Sequence, residues 1–120
     1  MNSDDLKKRT KKFALQVINT VNDFPRTKAG DVIGRQLIRS ATSVGANYRS
    51  ACRARSHPDF IAKLGIVEEE ADESLYWLEM AVESGLVRNS SVDELIKEAD
   101  QLTSIFTASR KTARRNISKK

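Results

Sequence analysis

Four arginines, Arg35, Arg39, Arg49 and Arg53, recur in one stretch at separations of four, ten and four residues. On a helix advancing about 100° per residue they fall within about 80° of each other, opposite Ile33, Leu37 and Val44. An arginine stripe of this kind suits two chemistries. Planar guanidinium groups can grip the oxygens of a phosphate backbone, or they can pair with carboxylates, each exposed pair contributing only about 0–1 kcal/mol. A plain solvated surface is the third reading. Carboxylates are at hand in the next segment, where Glu68, Asp72, Glu79 and Glu83 share a face and Glu70 and Glu73 lie on its far side.

Other reactive side chains offer less. His57 precedes Pro58 and reads as a surface residue at a helix start rather than a general base, and Cys52, five residues earlier, has no fixed geometry to it. Ser40, Thr42 and Ser43 lie among small residues and read as packing. The pairs Glu68/Asp72 and Glu79/Glu83 have i,i+4 spacing, but the Glu-x-x-His pattern of di-iron bundles is absent because the single His lies elsewhere. One Cys and one His cannot build a disulfide framework or a structural zinc site within one chain. No glycine-rich phosphate loop or dinucleotide fingerprint occurs. The expectation is a protein with no catalytic residues, no metal and no cofactor.

The elements that must hold these residues follow from apolar recurrence. Leu6, Phe13, Val17, Val21 and Phe24 define a first helix over about 4–21, begun by Ser3-Asp4-Asp5 and stopped by Asp23-Phe24-Pro25. Ile33, Leu37, Ala41, Val44, Tyr48 and Ala51 define a second over about 31–53, where Gly34, Ser40, Ser43, Gly45 and Ala46 let a neighbouring backbone come close. Ser56-His57-Pro58-Asp59 opens a third over about 58–84, carried by Phe60, Leu64, Val67, Ala71, Leu75, Leu78 and Val82 until Gly85. A capping-box pattern from Ser91 to Glu94 opens a fourth over about 92–113, with Leu95, Ala99, Leu102, Phe106 and Ala113 inward. Residues after Arg110 are expected to fray into a basic tail. Short connections make neighbours antiparallel, so the fold class is all-α: an up-down-up-down four-helix bundle in one domain, 1–120.

Composition agrees. The chain has 120 residues, 39% of them hydrophobic, with only 5 Gly and 2 Pro, which suits one helical core and excludes disordered or turn-rich β chains. The start MNSDDLKKRTKKF lacks an apolar leader, and no run approaches the roughly 18 apolar residues of a membrane span. A cytoplasmic protein, with no membrane partner, is expected.

Asp23-Phe24-Pro25, the run QLIRSATSVGAN from Gln36 to Asn47 and the stretch EEADESLYWLE from Glu69 to Glu79 together resemble the bacterial "four helix bundle protein" family. Its founding members are encoded in intervening sequences of large-subunit ribosomal RNA genes, and the accessory protein of diversity-generating retroelements is a related branch. The similarity spans about Phe13 to Phe106. It implies an up-down bundle that assembles as a ring-like homopentamer, a role in binding RNA or other nucleic acid, and no catalysis. Many members carry Pro where this chain has Gly45, and an acidic residue then Gly near Tyr48-Arg49-Ser50-Ala51; here a kink-former is lost and positive charge gained.

Charge is sorted along the chain, with net +8 over residues 1–56, −7 over 57–85 and +4 over 86–120. The basic ends Lys7–Lys12 and Arg110–Lys120 could extend the arginine stripe. Only seven aromatics occur and the four Phe are committed to core positions, so recognition would favour shape and charge over sequence. Trp77 sits about 100° from the core stripe of helix three, with Ile66 and Met80 on the same side. These three read as an oligomer interface, or alternatively as a wide helix face buried between neighbours. The sequence therefore points to a self-associating bundle that binds structured RNA or other nucleic acid through Arg35, Arg39, Arg49 and Arg53. The alternative is a scaffold that docks a partner protein on helix three.

Overall fold

The computed structural model describes residues 1–118 and consists of four helices: α1 (Ser3–Asn22), α2 (Lys28–Cys52), α3 (His57–Glu83) and α4 (Asn89–Ser118). Each start has a local cause. The Asn2 side chain accepts from the Asp5 amide while Asp5 reaches back to the Asn2 amide, closing a capping box ahead of α1. The Thr27 hydroxyl accepts from Gly30 N–H at 3.0 Å and starts α2 three residues before the expected Asp31. Ser56 accepts from Asp59 N–H, with Pro58 in the first turn of α3. After α3, Gly85 adopts φ 81°, the one positive φ among the described residues, so that Leu86 N–H can donate back to the Ala81 carbonyl at 3.0 Å.

Helix direction can be read from residue pairs. Gly34 faces Val21 while Gly45 faces Thr10, and a Cβ added to Gly34 would meet the Val21 side chain at 2.8 Å. Ser74 Oγ lies 3.0 Å from Ser40 Oγ, and Glu70 and Glu73 reach back to Arg39. Arg110 meets Glu68 and His57 meets Ala113. For α1 and α2, and for α3 and α4, the numbers rise on one helix as they fall on the other; for α2 and α3, the end of α2 at Arg49 and Arg53 shares a depression with Lys63 near the start of α3, so neighbours are antiparallel throughout. The result is a rod of 52 × 22 × 19 Å.

The core holds Phe13, Val17, Leu37, Val44, Leu64, Val67, Leu78, Val92, Leu102 and Phe106, all essentially inaccessible, with Tyr48 and Phe106 rings 5.2 Å apart. Phe60, Leu75 and Val82, expected inward, are half-buried, and the small Ser74 and Ala81 take the centre of the α3 face instead. Small residues there let α2 and α3 pack closely. The buried hydroxyls stay satisfied: Thr10 bonds the Leu6 carbonyl, and Ser74 lies within bonding distance of the Glu70 carbonyl as well as Ser40.

Two boundaries differ from expectation at α4. It begins at Asn89, ahead of the Ser91–Glu94 pattern, and continues to Ser118 instead of fraying after Arg110. Ala113 is buried, the His57 ring bonds its carbonyl at 2.8 Å and Arg110 is tied to Glu68, so the start of α3 holds the last turns of α4 in place. Lys119 and Lys120, the end of the expected basic tail, lie outside the described residues.

Candidate nucleic-acid interface

The antiparallel order puts the start of α1, the end of α2, the start of α3 and the end of α4 at the same end of the rod. Lys7, Lys8 and Lys11 project from α1, Arg49 and Arg53 from α2, and Arg110, Lys111, Arg114 and Arg115 belong to the closing turns of α4. Between α1 and α2 lies a depression of about 450 Å³ lined by Lys7, Lys8, Lys11, Arg49 and Arg53, with Thr10, Ala14, Thr42, Gly45 and Ala46 as its floor and walls. No carboxylate lines it. None of its five cations makes an ion pair within the described residues, so their charge faces outward. A second depression of about 510 Å³ continues past Arg49 and Arg53 to Arg55 and Lys63.

The four stripe arginines thus separate. Arg49 and Arg53 join the cationic depression. Arg39 does not, because its guanidinium bridges Glu70 at 3.2 Å and Glu73, and its Nε–H donates to Gln36 at 3.2 Å. The hydrogen bond to Glu73 raises the Arg39 pKa against its small burial cost. Burial pushes Glu70 up more strongly than Arg39 pulls it down, so Glu70 gains little from the contact. Arg35 stands in a separate cleft of about 360 Å³ with Arg26, Asp31 and the Phe24-Pro25 turn, toward the opposite end of the rod.

Nearby cations are also differentiated. Arg9, within the basic start of α1, donates to Glu98 at 2.6 and 2.7 Å and to Gln101 at 2.7 Å, so it fastens α1 to α4. That commitment is invisible in a chain read linearly, because Glu98 is 89 residues away. Lys63 bonds Asp59 at 3.1 Å, which holds the Asp59 carboxyl below its ordinary range. Arg55 was not singled out in the sequence. Its position between the α2 stripe and the Ser56 cap was the available signal.

Trp77 and Met80 pack against the subunit's own core, while Ile66 is 43% exposed. The Trp77 ring meets Tyr76 edge-on at 5.0 Å, and its indole Nε1–H is buried without an acceptor. His57 Nε2–H donates to the Ala113 carbonyl, Cys52 is exposed, and burial together with Cys52 holds the Tyr48 phenol well above its ordinary pKa. Of the carboxylate pairs, Glu68 binds Arg110, while Asp72, Glu79 and Glu83 are exposed. Among the described residues no helix is long and apolar enough to cross a membrane.

An all-α bundle with five cations free of ion pairs gathered around one interhelical depression is the class of protein these features define. The chain belongs to the 23S rRNA-intervening sequence protein family, which it matches over residues 3–108. No curated protein matches it. Among solved structures it is similar to a protein of unknown function from the S23 ribosomal protein family of Bacteroides thetaiotaomicron VPI-5482. The TM-score is 0.84, with 29% identity, covering 92% of this chain and 99% of that one.

Proposed function

We propose that this chain is a non-catalytic, self-associating bundle protein that binds nucleic acid, structured RNA in particular, through its basic end. The observation that carries the reading is the convergence of Lys7, Lys8, Lys11, Arg49 and Arg53 on one depression without a carboxylate among its lining. Guanidinium and ammonium groups at this density can hold phosphate oxygens through charge-assisted bonds, which carry no base sequence information of their own. The family's name makes a 23S ribosomal RNA fragment the first ligand to try. If copies assemble in a ring, the depression is repeated around the axis, and modest attraction becomes avidity for a long polyanion.

Fluorescence anisotropy with that fragment over a salt series tests the reading. Arg49→Glu/Arg53→Glu is expected to abolish binding at moderate salt while leaving the fold intact. Arg35→Glu, in its separate cleft, is expected to bind nearly as the native protein does. No binding by the native protein at low salt, or indifference to the Arg49/Arg53 changes, overturns the proposal.

A second reading has its own observation. On the outer face of α3, Tyr76 is 53% exposed beside Glu69, Glu70, Asp72 and Glu73, which suits a basic partner protein with an apolar anchor. A protein that co-purifies with the native chain and with Arg49→Glu/Arg53→Glu, yet is lost from Tyr76→Ala, would move the function to that face.

A further inference from the structure

We infer that the basic surface takes a single flexible strand of nucleic acid, gripped by its backbone, in preference to a double helix; this rests on the nucleic-acid reading above. The two depressions, of about 450 and 510 Å³, share Ala46, Arg49 and Arg53. Together they form one track that crosses the helix axes from α1 over α2 to α3. Lys7, Lys8 and Lys11 stand on one flank, Arg49 and Arg53 on the central ridge, and on the other flank Arg55 and Lys63, whose ammonium is shared with Asp59 at 3.1 Å.

The size of the track decides what can lie in it. Packed helix axes are about 8–10 Å apart, so each depression is narrower than a double helix whose major groove alone is about 12 Å wide. A duplex is also stiff over far longer distances than this rod is wide. It would rest on the Arg49/Arg53 ridge and leave the flanking cations unmatched. A single strand can dip into one depression, cross the ridge and enter the next. Arg49 and Arg53 are one turn apart, about 6 Å along the α2 axis, so they stand on either side of a strand that crosses the helix and can hold one phosphate group between them.

The floor makes the same selection. Ala46 is exposed, is common to both depressions, and presents only a methyl group, so the strand can approach the α2 backbone. No aromatic ring lines either depression, which removes the stacking platform that sequence-tolerant strand binders often use. The grip is therefore on phosphate and sugar, and a loop or linker of a folded RNA would satisfy it as well as a free strand.

A test follows from Ala46, because it can be enlarged without changing charge. Ala46→Leu, Ser50→Leu, which lies only in the second depression, and Arg49→Ala/Arg53→Ala would be compared with the native protein, their folds checked by circular dichroism. Each would be titrated with a labelled single-stranded uridine homopolymer and with an RNA duplex of equal length, over a salt series. The native protein is expected to favour the single strand by about tenfold at moderate salt, with a log–log salt slope of about −3.5 for five contacts. Arg49→Ala/Arg53→Ala should reduce that slope by about 1.4. Ala46→Leu and Ser50→Leu should weaken single-strand binding and leave duplex binding unchanged. Duplex binding as tight as single-strand binding, or a single-strand affinity indifferent to both leucines, overturns this inference while the nucleic-acid function stands. Failure of both RNAs to bind the native protein at low salt overturns the function and the inference together.

Discussion

Arg39 and Arg49 lie ten residues apart on the same helix, and their different neighbours give them different work. Arg39 faces the acidic α3 and closes an ion pair; Arg49 faces the lysines of α1, which can only repel it, and stays available. The side of Arg39 that faces Glu70 carries a pH signature. Because burial raises the Glu70 pKa, the folded protein keeps a proton that the unfolded chain has released just above the ordinary glutamate range. Stability therefore falls as pH rises through that window, and Glu70→Gln should flatten this part of a melting-temperature profile. Asp59 has the opposite sign: the Lys63 contact lowers its pKa, so its contribution is present above the ordinary aspartate value and is lost as pH falls through the folded one. Asp59→Asn should remove that acid-side loss. The stripe itself could be read from spacing, but its division could not, since Glu70 and Glu73 are more than 30 residues from Arg39 and their reach depends on how α3 sits against α2.

The four helices were legible because each carries apolar residues at helical spacing, and the starts at Ser56 and near Ser3 because short polar side chains precede acidic first turns. Thr27 is hard to see as a cap in the sequence because a glycine three residues on suggests a turn, although a glycine amide serves as well as any other for the Thr27 hydroxyl. The far end of α4 departs from expectation for a different reason: its polar composition suggests fraying, whereas its order comes from contacts with α3. Shaving the His57 ring tests this at the scale of the element. His57→Ala is expected to speed amide hydrogen exchange in 111–118 while leaving exchange in the centre of α2 unchanged. At the α3–α4 connection, Gly85→Ala should cost about 1 kcal/mol in denaturant unfolding, since φ 81° is strained for any residue with a Cβ. In the α2–α3 seam, Ser40→Ala/Ser74→Ala should cost less than the sum of its single variants, because removing both hydroxyls leaves no unpaired partner.

At the scale of the molecule, antiparallel packing turns a linear charge sequence into a polar body. The basic segments are separated in the chain, yet α1, α2 and α4 deliver theirs to one end, while at the other end Asp23, Asp31, Glu79, Glu83, Asp93 and Glu94 stand among Arg26, Lys28, Arg35, Arg88 and Lys97 and the charge nearly cancels. Raising salt should therefore slow association of RNA in stopped-flow measurements more than it speeds dissociation. Ala46→Leu should do the reverse, because it alters the fit and not the field.

The 52 Å length of the rod adds a consequence of its own. Positive charge gathered at one end, against a nearly neutral other end, gives the rod an electric dipole about its centre, and the field of an approaching polyanion exerts a torque on it. Tumbling becomes biased before any atom touches, and the molecule arrives already turned, its lysines leading.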